Sequence, residues 1–84
     1  MSINKPEIIE KICYTELVYE RINKKLNTEY SKQQIEVYLL KILTETDIIF
    51  FQKKGKNIYV SNTENNIKIT INSNTFRVIT VDKH

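Results

Sequence analysis

At Asp47 the hydrophobic period of this chain changes, and the change divides it into two halves. Before it, apolar residues recur every three to four positions, the spacing of one face of an α-helix. After it, β-branched and aromatic residues alternate with polar ones through DIIFFQKK, NIYVSN, NIKITIN and TFRVITV, the spacing of strands with one buried face. A chain that makes this change once, helical pattern first, is expected to fold as an α+β domain, its helices covering one face of a sheet.

The helical half carries its own punctuation. Pro6 suits the first turn of a helix, where its missing N–H costs nothing, and Ile8, Ile9 and Ile12 then share a face. Positions 8, 12, 15, 19, 22 and 26 would also fit one continuous helix to about Asn27. Thr15 as an N-cap with Glu16 in the first turn instead favours a separate helix 15–27, whose buried stripe would be Leu17, Val18, Tyr19, Ile22 and Leu26. The segment NTEYS interrupts the pattern. Ser31 followed three residues later by Gln34 is a capping-box signature, opening a helix 32–45 with Ile35, Tyr38, Leu39, Ile42 and Leu43 inside and Lys32, Gln33, Glu36 and Lys41 outside. Two or three helices are therefore expected.

In the β half, short connections have turn chemistry: KKGK around Gly55, TENN at 63–66, and Ser73-Asn74. They predict a four-stranded antiparallel β meander. Pairing Asn72 with Thr75 would put Ile67, Ile69, Ile71, Phe76 and Val78 on the core side of the last hairpin. Lys68, Thr70, Asn72, Thr75 and Arg77 would then face outward together with Ile79 and Val81. A winged-helix arrangement is the alternative, with helix 32–45 in the major groove and the KKGKN tip as the wing. Against it, the exposed face of that helix has no Arg to read guanine, and Glu36 would repel phosphate. No repeat, low-complexity tract or linker divides the chain, so one domain spanning 1–84 is expected.

Catalytic chemistry finds few carriers. The single histidine, His84, is the last residue, where chains fray. Cys13, the one cysteine, has no internal histidine to activate it, and among apolar helix positions it reads as a buried small hydrophobe. One Cys and one terminal His make no zinc site, and one glycine makes no phosphate-cradling loop. Eight of the ten carboxylates lie in the helical half, interleaved with Lys as on solvated helix faces. The expectation is a non-enzyme with no metal and no cofactor.

Binding chemistry is concentrated after the period change. Residues 1–50 hold seven bases and eight acids, whereas residues 51–84 hold six bases and two acids. Fourteen Ile, nine Asn and no Ala suggest AT-rich bacterial coding, so the position of a lysine means more than the number of lysines. Lys53, Lys54 and Lys56 surround Gly55, and a basic hairpin tip can lie against phosphates. The same lysines also keep a sheet edge from aggregating, and Gly55 is required wherever the turn needs positive φ. The candidate binding residues are Lys53, Lys54, Lys56, Lys68 and Arg77 for charge, with Asn57, Asn72 and Tyr59 as polar or stacking support.

The strings ICYTELVYERINKKLNTEYS, KKGKNIYVSN and NIKITINSNTFRVITVD together resemble a small bacterial family catalogued as a domain of unknown function. The resemblance spans nearly the whole chain. It implies one compact domain of this length and carries over no site. Expected partners are nucleic acid, or a protein with an acidic surface, as for a mobile-element inhibitor, antitoxin or anti-defence protein. A homodimer through the open sheet edge or the mixed face 68–81 is a third expectation. From the lone cysteine, the absence of a signal-like start and the lack of any apolar run near the ~18 residues of a membrane span, the expectation is a cytoplasmic protein away from membranes.

Overall fold

The structure, a computed structural model, describes residues 3–83; His84, set aside above as a terminal histidine, lies outside the described residues. Three helices come first: α1 (Lys5–Lys11), α2 (Glu16–Leu26) and α3 (Lys32–Glu45). The strands β1 (Phe51–Lys54), β2 (Asn57–Asn62), β3 (Ile67–Asn72) and β4 (Val78–Lys83) follow in one antiparallel sheet of order β1-β2-β3-β4. This continuous meander, rather than a helix with a separate two-stranded wing, is the architecture. Among the described residues, no helix is long and apolar enough to cross a membrane.

Local chemistry sets the helix limits. Asn4 caps α1 by accepting from the Glu7 amide at 3.0 Å, with Pro6 in the first turn. The chain leaves α1 at Lys11 and runs extended to Thr15, the N-cap position of α2, so α1 and α2 are separate. Asn27 closes α2 in the left-handed region at φ 57°. Ser31 and Gln34 form the capping box of α3: Ser31 Oγ accepts from the Gln34 amide at 3.2 Å, and Gln34 Oε1 accepts from the Ser31 amide at 2.8 Å. Lys5 donates to the Thr44 and Thr46 carbonyls, placing a cation at the negative end of α3.

One hydrophobic cluster joins the two halves. Val18, Ile22 and Leu26 of α2, with Ile35, Leu39, Ile42 and Leu43 of α3, meet Ile58, Val60, Ile69, Ile71, Val78 and Val81 from the helix-facing side of the sheet. A small buried polar chain pins the end of α3 to the sheet. Thr46 Oγ1 donates to the Ile42 carbonyl and accepts from Asn62 Nδ2 at 2.8 Å, while Asn62 Oδ1 accepts from the Asn65 amide at 2.9 Å.

Four expectations are corrected. Leu17 is not in the buried stripe but 73% exposed, because the buried line of α2 runs through 18, 22 and 26 and position 17 falls about 100° to its side. Cys13 is exposed rather than buried, since the helix has already ended and the residue lies in the extended link, bridged to Arg77 at the edge of β4. The run DIIF is not strand. Asp47 accepts from the Ile49 amide through its side chain and from the Phe50 amide through its carbonyl, winding Ile48–Phe50 into a 3-10 turn and leaving β1 only four residues.

The fourth correction concerns the last hairpin. Asn72 Oδ1 accepts from the amides of Asn74 and Thr75 (2.8 and 2.9 Å), and the Asn72 carbonyl accepts from the Phe76 amide, so the turn takes the four residues 73–76. Phe76 closes it at φ 59° and packs partly buried against the core. Asn72 therefore pairs with Arg77, not Thr75, and Ile71 with Val78. An irregularity at Thr70/Ile71 then skips Ile79, so that Thr70 pairs with Thr80 and Ile69 with Val81. Val81, expected outside, is fully buried.

Candidate nucleic-acid interface

The helices cover one face of the sheet, and register assigns the other. Gln52 and Lys54 of β1, Asn57, Tyr59 and Ser61 of β2, Lys68, Thr70 and Asn72 of β3, and Thr80 and Asp82 of β4 are in register across that uncovered face. It is polar because each strand alternates, and the apolar member of each pair already faces the helices.

Five of the eight residues expected from sequence, Lys54, Asn57, Tyr59, Lys68 and Asn72, belong to this face. Arg77 extends it, since it pairs with Asn72 and immediately precedes the core residue Val78. Lys56 lies in the β1–β2 turn, where Gly55 takes φ 60°. Lys53 is the exception. It is opposite Ile58 and so emerges on the helix-facing side at the sheet edge.

Antiparallel order puts the β1–β2 turn and the β3–β4 turn at the same end of the sheet. They touch there: the Ser73 amide donates to the Lys56 carbonyl at 2.8 Å. Lys53, Lys54, Lys56 and Arg77 are thereby gathered at one end from positions up to 24 apart in sequence. Among the described residues the ion pairs are Lys11–Glu7, Lys25–Asp82 and Lys32–Glu16, none of which involves Lys54, Lys56 or Arg77. Asp82, the one acid on the uncovered face, is thus engaged by Lys25 at 2.9 Å.

Tyr59 is not a free stacking platform. Lys68, its diagonal neighbour on β3, holds its ammonium 5.5 Å from the ring centroid, and Asn57 Nδ2 lies 3.5 Å from the Tyr59 hydroxyl. Lys68 also stands toward the far end of the sheet from the two turns, beside Ser61 and Asp82. The structure therefore gathers Lys53, Lys54, Lys56, Asn57, Asn72 and Arg77, with Tyr59 and Lys68 as a second pair farther along.

A cleft between α1 and the two turns was not expected from sequence. It has a volume of about 240 Å³ and is lined by Ile3, Asn4, Glu7, Ile8, Lys53, Ile58, Ser73, Asn74 and Phe76. Its walls come from three segments far apart in the chain, and no periodicity or motif links them. In the sequence Ser73 and Asn74 signal only a turn.

Tyr14 and Tyr19 of the helical side are engaged with one another and with α3. Tyr14 stacks on Tyr19 at 5.4 Å, and Tyr19 donates to Glu36 at 2.8 Å, bracing α2 against α3. Burial, followed by the hydrogen bond to the Glu36 carboxylate, pushes the Tyr19 phenol up to about 12. Among the described residues, no group of three or more His, Cys, Asp or Glu is placed to hold a metal ion.

No curated protein and no solved structure matches this chain. The family model described as a protein of unknown function (DUF3781) matches residues 6–82, and the chain belongs to that family.

Proposed function

We propose that this chain is a non-enzymatic binding module that holds the phosphate backbone of nucleic acid against the basic end of its sheet. The observation that carries the reading is the junction of the two turns. It brings Lys54, Lys56 and Arg77 beside the amide side chains of Asn57 and Asn72, with no ion pair to these cations among the described residues. Cations supply the attraction to phosphate, and amides supply donors that fix register. The uncovered face continues the polar surface through Tyr59 to Lys68.

The test is fluorescence anisotropy with single- and double-stranded DNA and RNA at low and physiological salt, beside a Lys53→Ala, Lys54→Ala, Lys56→Ala variant. Each phosphate contact contributes about 0.7–0.9 to the slope of log affinity against log salt. Losing the contacts of Lys54 and Lys56 should flatten the slope by roughly 1–2. Binding that fails to appear at low salt would end this reading.

A second reading, contact with a protein, rests on exposed apolar residues of α3 and of the 3-10 turn after it. Val37 of α3 is 61% exposed and Ile49 of the turn 76%, with Leu40, Ile48 and Phe50 also open to solvent. An inhibitor or antitoxin would use such a surface, and so would a homodimer. Salt-tolerant 1:1 capture of a partner, or a concentration-dependent mass by sedimentation, supports it.

A further inference from the structure

Resting on that reading, we infer that the nucleic acid is single-stranded and that one of its bases, unstacked, enters the cleft between α1 and the two turns. The cleft adjoins the cations, since the Ser73 amide at its wall is bonded to the carbonyl of Lys56. Lys54 faces the other side of the sheet. A strand whose phosphate lies on Lys56, in the turn bonded to Ser73, passes beside the mouth of the cleft, where Lys53 lines the wall. Its floor is apolar, formed by Ile8, Ile58 and Phe76, and takes the flat face of a base.

The wall chemistry selects a base over a phosphate. Glu7, paired with Lys11 at 3.3 Å, lines the cleft beside Lys53 and Asn74. A carboxylate there repels phosphate and accepts a hydrogen bond from the exocyclic amino group of a base. At about 240 Å³ the space is below the roughly 300–1,000 Å³ of pockets for drug-sized ligands and suits a single ring system.

A duplex offers no such base, because its bases are stacked inside. The helix that would read a duplex is poorly built for it. On the outer side of α3, Val37 and Leu40 are exposed, and Glu36 is held by the Tyr19 hydroxyl. Tyr59, the other route to stacking, has Lys68 over its ring.

The experiment uses the full chain with a short deoxyadenosine strand and a duplex of the same length, in low and physiological salt. Asn74→Trp, at an exposed turn position on the rim, narrows the mouth and removes no cation. The expected result is tighter binding of the single strand, weakened about tenfold by Asn74→Trp, the worth of one well-buried base, with duplex binding unchanged. Photocrosslinking of the unaltered chain to a halogenated-pyrimidine strand should attach residues 73–76 or α1.

Duplex binding equal to or tighter than single-strand binding would overturn the inference and leave the proposed function standing. So would crosslinks confined to Tyr59, or single-strand affinity indifferent to Asn74→Trp. Absence of salt-sensitive binding to either probe would instead remove the proposed function itself.

Discussion

Replacing Val81 with Thr separates two registers of the last hairpin. In the register expected from sequence, Val81 is on the outward face and a hydroxyl there is harmless. In the structure it pairs with Ile69, both residues fully buried, in the sheet layer under α2. Threonine has nearly the same shape, so no cavity opens. The cost is a hydroxyl taken from water into an apolar layer, about 1–3 kcal/mol in protein mutational series. For a chain of this size each kcal/mol moves Tm by roughly 4–8 °C, so Val81→Thr should lower Tm by roughly 5–20 °C. Ile79→Thr is the control. Ile79 is the residue skipped by the bulge and is only partly buried, so the same change should shift Tm far less. Thermal unfolding followed by far-UV circular dichroism reads both. A Tm for Val81→Thr within a degree or two of the parent, or a larger loss at Ile79, would refute the bulged register.

Three more outcomes follow from particular contacts. Gly55→Ala should cost about 1 kcal/mol by chemical denaturation, since a Cβ meets nothing within 4 Å and the penalty is the backbone's at φ 60°; Gly55→Asn should cost less, and equal losses would refute this account. Ser31→Ala removes the acceptor for the Gln34 amide and should destabilise by about 1 kcal/mol, with a neutral result ruling out the capping box as a contributor. For Tyr19, raised in the folded state to about 12 from the ordinary 10, the sign is fixed: its contribution is fully present below about pH 10 and is lost as pH rises through about 12. Burial raises Tyr14 and Tyr38 as well, so part of the phenolate absorbance should appear late in an alkaline titration, together with loss of structure; complete titration near pH 10 with the fold intact would contradict it.

The architecture was legible in the sequence because its signals are local. The change of period at Asp47, the capping box at Ser31 and Gln34, and the β-patterned runs closed by turn residues each act within a few residues. They specified two or three helices followed by four antiparallel strands in meander order, and left open whether the first two helices are separate. Most of the charged and amide residues of the candidate interface were legible for the same reason, as polar members of alternating strands or of a glycine turn.

Where one side-chain hydrogen bond decides among equally patterned alternatives, the sequence did not choose. Asp47 winding Ile48–Phe50 away from β1, and Asn72 lengthening the last turn to residues 73–76, are such cases. The bulge that follows this turn brings Val81 rather than Thr80 to the core, because a one-residue shift in a period-two pattern exchanges the faces. Burial of Leu17 and Cys13 also depended on tertiary structure: it is set by which flank of α2 meets the sheet and by where α1 stops. The meeting of α1 with the two turns, which makes the cleft, belongs to packing alone. The sequence determined which elements form and which residues carry charge. Only the folded chain decided which distant segments share a wall, because such proximity depends on how the helices close over the sheet and leaves no periodic trace in the residues that meet.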